Sequence, residues 1–124
     1  MGLGSSSANY SEQTQKHIDD TIASGPVALF SASYCPYCSK VKQILKQYEP
    51  YTTVEVDQVD GGSKMAEYKA YLSVVTGSSS ITWPRVFIGG KCVGGCDDTT
   101  RLQKSGELDK LINAAKSSND SSKL

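Results

Sequence analysis

Cys35 and Cys38 are separated by two residues in Tyr34-Cys35-Pro36-Tyr37-Cys38, just after the apolar run Val27-Ala28-Leu29-Phe30 and just before helix-forming sequence. A thiol at a helix start faces unpaired backbone N–H groups and the positive end of the helix dipole, both of which favour a thiolate. The thiolate is the form that attacks disulfides, and such surroundings can lower a cysteine pKa from about 8.5 to about 3.5–7.5. Pro36 suits the first helical position because it has no N–H to lose there. Cys38 falls one turn later, within reach of a mixed disulfide on Cys35. The expected chemistry is thiol–disulfide exchange in which Cys35 attacks and Cys38 resolves.

Two further cysteines, Cys92 and Cys96, open a rival use, a zinc ion held by four sulfurs. That second pair has three intervening residues and falls on an expected strand and loop, and the first pair contains a proline. Redox chemistry is the stronger reading, and no metal is expected. Outside the active pair the extra thiols are either small apolar residues or oxidation-sensitive ones. Lys40 and Lys42 can add positive potential in the first turns of the same helix, and Tyr37 can shape the surface beside the thiol. His17 has no second histidine or nucleophile near it in sequence and is assigned no chemistry.

These groups need elements to position them. Ser11 can cap a first helix carrying Ile18 and Ile22, ended near Gly25-Pro26. Val27 to Phe30 has the continuous apolar character of a strand covered on both faces. Val41, Ile44, Leu45 and Tyr48 recur at helical spacing after the cysteines, and Pro50 ends that element. Val54 and Val56 share one face of a second strand, which completes a βαβ unit. Met65, Tyr68, Leu72 and Val75 mark another helix, stopped at Gly77. Val86-Phe87-Ile88 and Lys91-Cys92-Val93 read as a hairpin turning at Gly89-Gly90. Asp97 or Asp98 can then cap a helix to about Lys104, Gly106 interrupts, and Leu108, Leu111 and Ile112 mark a last helix.

The 124 residues, 38% of them hydrophobic, fit one globular domain. Thirteen basic and 13 acidic residues balance to a net charge of +0, which predicts no attraction to nucleic acid. No apolar run approaches the roughly 20 residues that cross a bilayer, and the start lacks a secretory layout, so the expected location is cytoplasmic. Residues 1–10 read as a flexible tail, 11–117 as the domain and 118–124 as a polar tail. Met1-Gly2-Leu3-Gly4-Ser5-Ser6 also fits the N-myristoylation pattern at Gly2, which would give weak membrane association without insertion.

Three motifs in order, Cys35-Pro36-Tyr37-Cys38, Thr82-Trp83-Pro84 and Gly94-Gly95-Cys96-Asp97-Asp98, make residues 15–116 resemble a dithiol glutaredoxin of the thioredoxin-fold superfamily. The resemblance implies an α/β thioredoxin fold, a four-stranded mixed sheet flanked by helices on both faces, with Pro84 cis. It implies glutathione as reductant and co-substrate, glutathionylated or disulfide-containing proteins as partners, and action as a monomer. Carried over by position, Tyr37 would wall the glutathione site, and the Trp83 backbone beside Pro84 would pair with the cysteinyl unit. Gly95, Cys96, Asp97 and Asp98 would take the γ-glutamyl end, its carboxylate at a helix N-terminus and its ammonium group at an aspartate.

The chain departs from the family pattern where glutathione's glycyl carboxylate is held. Ala32 replaces a frequent lysine, and Ser78 to Ile81 lacks the usual arginine or glutamine. Trp83 also replaces a small aliphatic residue. The implied activity is reduction of glutathione mixed disulfides, which needs Cys35 alone, and of protein disulfides, which needs both cysteines. The alternatives are a thioredoxin-like reductase, which lacks its Trp-Cys-Gly-Pro-Cys stretch here, and a glutathione-bridged iron–sulfur cluster module, which Pro36 disfavours.

Overall fold

The computed structural model describes residues 9–122. Gly2 and most of the tail expected over residues 1–10 lie outside them, as do residues 123 and 124. The chain runs α1 (Glu12–Ile22), β1 (Val27–Ser31), α2 (Pro36–Leu45), β2 (Thr52–Glu55), α3 (Met65–Thr76), β3 (Arg85–Ile88), β4 (Lys91–Gly94), α4 (Cys96–Ser105) and α5 (Glu107–Ser122). Short 3₁₀ turns at Lys46–Tyr48 and Val59–Gly62 extend the connections around β2.

The four strands form one sheet in the order β2-β1-β3-β4. β1 pairs in parallel with β2, Phe30 opposite Val54, and antiparallel with β3, Leu29 opposite Val86. β3 and β4 are antiparallel and turn through Gly89 and Gly90, at φ 61° and 84°, the positive values that a two-residue hairpin of this hand requires.

β1 is buried along its whole length because both faces of the sheet are covered. Ala28, Phe30 and Ala32 face a core with Ile18, Tyr68, Leu72, Val54 and Phe87, under α1 and α3. Val27 and Leu29 face the opposite core with Val41, Leu45, Val86, Leu108 and Ile112, under α2, α4 and α5. The thioredoxin fold expected from the sequence is the fold found.

Local signals decide the ends of the elements. Ser11 caps α1, its hydroxyl oxygen accepting the Thr14 N–H at 3.1 Å. Gly77 and Gly106, at φ 75° and 84°, close α3 and α4. On α3 the structure corrects the expected inner face. Tyr71 is 8% exposed and Val75 38%, because Tyr71 donates to Asp19 Oδ1 at 2.7 Å and so ties α3 to α1.

The start of α4 is also corrected: Gly95, not Asp97 or Asp98, occupies the cap position. Asp98 works from inside the first turn, its Oδ2 accepting the Gly95 N–H at 3.3 Å. Among the described residues no helix is long and apolar enough to cross a membrane.

Candidate active site

Cys35 is the cap residue of α2, with an extended backbone (φ −94°, ψ 118°), and Pro36 takes the first helical position as its sequence position predicts. The thiol therefore stands at the start of a helix that buries Cys38, Val41, Ile44 and Leu45. Cys35 is half-buried, and its Sγ lies 3.6 Å from the carbonyl oxygen of Trp83. The Trp83–Pro84 peptide is cis, as is Glu49–Pro50.

Cys38 faces inward. It is 1% exposed, and its sulfur accepts the Ala32 N–H at 3.4 Å. Burial pushes its pKa up to about 11, opposed by the Ala32 N–H. At neutral pH Cys38 is a protonated thiol held behind Cys35.

The loop before Cys35 is fixed by a carboxylate. Asp57, just past β2, accepts the Ser33 N–H at 2.8 Å and the Ser33 hydroxyl, and Gln58 Nε2 donates to the same carboxylate at 3.1 Å. The Ser33 hydroxyl, followed by the Ser33 N–H, holds the Asp57 pKa down at about 2, so it is an anion throughout the physiological range.

A cleft of about 330 Å³ reaches the start of α4 and is lined by Tyr37, Thr82, Trp83, Pro84, Arg85, Gly95, Cys96, Asp97 and Asp98. Every residue that the resemblance assigns to glutathione lies in this lining. Cys35 does not line it but adjoins it through Trp83. Tyr37 is 63% exposed and forms an outer wall. Gly94, at φ 121°, leaves room for the Asp98 carboxylate, since a Cβ there would stand 2.0 Å from Asp98 Oδ2. Removing that side chain lets Asp98 reach the Gly95 N–H and hold the helix start in shape.

Other candidates are elsewhere. Lys42, expected to lend potential to Cys35, is paired with Glu55 on β2. Cys92 packs against the core under α1 and α3, whereas Cys96 packs in the opposite core. The four sulfurs are thus not gathered. Among the described residues no group of three or more His, Cys, Asp or Glu side chains is arranged to hold a metal ion. His17 meets the hydroxyl of the buried Tyr68, away from the cysteine pair. At the positions where the family's glycyl-carboxylate anchors would stand, Ala32 is 1% exposed and Ile81 is buried, so this part of the chain presents no cation.

One residue of the cleft escaped the sequence reading. Arg85, immediately after Pro84, sends its Nε to the Thr82 carbonyl at 2.9 Å and its Nη2 to the Thr82 hydroxyl at 3.2 Å. The available signal was only a basic residue at the end of an apolar strand, which usually means a solvated strand end.

A mixed four-stranded sheet between two helical layers, with a Cys-x-x-Cys pair at a helix start facing a proline-preceded carbonyl, defines a thiol-active protein of the thioredoxin fold. Residues 27–93 match the Glutaredoxin family model. Glutaredoxin-C6 of Oryza sativa is 41% identical over 96 residues, which are 77% of this chain and 82% of that protein. Monothiol glutaredoxin-S12, chloroplastic, of Arabidopsis thaliana is 37% identical over 119 residues, covering 94% of this chain, and the match spans only 64% of that longer protein. The solved buckwheat glutaredoxin–glutathione complex superposes with a TM-score of 0.71 at 34% identity, over 85% of this chain and 96% of that one. The chain belongs to the glutaredoxin family.

Proposed function

We propose that this chain is a glutathione-dependent thiol–disulfide oxidoreductase that acts on glutathione mixed disulfides through Cys35 and on protein disulfides through Cys35 and Cys38. The observation that carries the reading is the cleft between Tyr37, Trp83 and the start of α4, which opens beside the Cys35 sulfur. Its size suits a tripeptide lying partly on the surface, and it offers that ligand a backbone carbonyl, helix-start N–H groups and the Asp97 carboxylate.

In the mixed-disulfide reaction the Cys35 sulfur attacks the glutathione sulfur, the bond to the protein thiol breaks, and that thiol leaves with a proton from water. A second glutathione attacks the glutathione sulfur now bonded to Cys35, giving glutathione disulfide and free Cys35. One disulfide is consumed and one formed, and one free glutathione is used for each protein thiol released. In the protein-disulfide reaction Cys38 takes the place of the second glutathione, and glutathione later reduces the Cys35–Cys38 bond.

Turnover of a glutathionylated peptide with glutathione as the only reductant tests the reading. Cys35→Ser is expected to abolish turnover and Cys38→Ser to spare it. Full activity in Cys35→Ser would overturn the assignment of the nucleophile.

A further inference from the structure

Among the described residues Arg85 is the only basic one lining the cleft, and it belongs to none of the ion pairs. Its guanidinium is nonetheless held in place, with Nε on the Thr82 carbonyl and Nη2 on the Thr82 hydroxyl. It lies against the cap of α4: a Cβ on Gly95 would meet Arg85 Nη2 at 3.2 Å and the Pro84 carbonyl oxygen at 3.2 Å. Glycine at 95 therefore lets the guanidinium settle over the helix start.

The neighbouring acids do not neutralise it. Asp98 is committed to the Gly95 N–H on one oxygen and to Arg101 on the other, at 3.3 and 3.1 Å. Asp97 is exposed on the α4 side of the cleft. That end of the cleft thus carries a fixed cation with an unused N–H edge, a helix dipole of the same sign and a separate carboxylate. This is the complement of an α-amino acid, whose carboxylate and ammonium share one carbon.

From this arrangement we infer that Arg85 is a specificity-determining residue that binds the α-carboxylate of the γ-glutamyl end of glutathione. The inference rests on the glutathione reading above and deepens it. A planar guanidinium gripped on one edge loses little further freedom when it meets a carboxylate on another, so the contact selects for geometry as well as charge. It also accounts for recognition of a tripeptide with two carboxylates by a chain whose Ala32 and Ser78 to Ile81 present no cation to the glycyl end.

The test is single-turnover reduction, by the reduced full chain, of one peptide held in mixed disulfides with three different thiols, each of which is transferred to Cys35 as the peptide thiol leaves. The thiols are glutathione, γ-aminobutyryl-cysteinylglycine, which lacks only the α-carboxylate, and cysteamine. The unaltered chain is expected to favour glutathione over the decarboxylated analogue by about tenfold, the scale of one charge-assisted hydrogen bond at a partly exposed site. Arg85→Gln is expected to remove that preference while leaving the analogue's rate as it was.

A second variant, Thr82→Val, keeps Arg85 and removes the hydroxyl that fixes Nη2. It is expected to lose part of the preference, about threefold. Alkylation of Cys35 at an unchanged rate in both variants checks that the thiol's surroundings are intact.

A preference for glutathione over the analogue that survives in Arg85→Gln overturns the inference, as does an equal slowing of both donors. Should Arg85→Gln fail to fold, an undiminished preference in Thr82→Val overturns it. If the unaltered chain treats the glutathione and cysteamine disulfides alike, the glutathione reading itself fails, and the inference with it.

Discussion

The sulfur of Cys35 sits 3.6 Å from the carbonyl oxygen of Trp83, 48 positions further along the chain. That contact joins the helix-start thiol to the cleft. It exists because β1 and β3 are hydrogen-bonded neighbours, Phe30 opposite Arg85, so the loop leaving β1 and the loop entering β3 emerge at the same edge.

The inward position of Cys38 sets a pH dependence for its own step. Its thiol pKa is raised to about 11, chiefly by burial, so the proton is retained well above neutrality. Closure of a Cys35–Cys38 bond after attack on a protein disulfide is therefore expected to accelerate about tenfold per pH unit through the neutral and mildly alkaline range. The check is rapid-quench measurement of that closure against pH. A rate that levels off between about pH 8 and 9 would show that Cys38 ionises as an ordinary thiol.

Gly94 is predicted to be intolerant of any side chain. At φ 121° an alanine is strained, and its Cβ would overlap Asp98 Oδ2 at 2.0 Å. Gly94→Ala should cost about 1–3 kcal/mol in chemical denaturation and should weaken glutathione binding by displacing Asp98 from the Gly95 N–H. An unchanged denaturation midpoint would contradict the packing described for this corner.

Acid is predicted to loosen the fold through two carboxylates. The Ser11 N–H first, then the Thr14 hydroxyl, hold the Glu67 pKa at about 2 against an ordinary 4.5. The Ser33 contacts hold Asp57 at about 2 against 3.8. Both pKa values are lower in the folded state, so the stability each group contributes is complete above its ordinary value and lost as pH falls towards about 2. Urea denaturation at about pH 6 and about pH 3 should show a smaller acid-induced loss for Glu67→Gln than for the unaltered chain. Equal losses would mean that Glu67 is not anchored to α1.

The sequence was legible where local pattern and packing agree. Val27 to Phe30 is apolar because both faces of β1 are covered, and Gly89-Gly90 reads as a hairpin because its positive φ values need glycine. The cleft residues were legible only through the motif resemblance, which tied together segments that no local periodicity connects.

What escaped depended on distant partners. Tyr71 points inward because Asp19 waits on α1, and Lys42 turns away from Cys35 because Glu55 lies on β2. The cap of α4 falls on Gly95 because Gly94 makes room for Asp98. Arg85 looks like a solvated strand end until Thr82 is seen to hold its guanidinium.

The central claim, that Cys35 exchanges with glutathione in this cleft, is tested most directly by trapping. Cys38→Ser is incubated with glutathione disulfide, and the product is mapped by intact mass and peptide mass spectrometry. The account predicts one glutathionyl group, on Cys35, removed by added glutathione. A protein that stays unmodified at Cys35, or that carries the adduct on Cys92 or Cys96 instead, would contradict it.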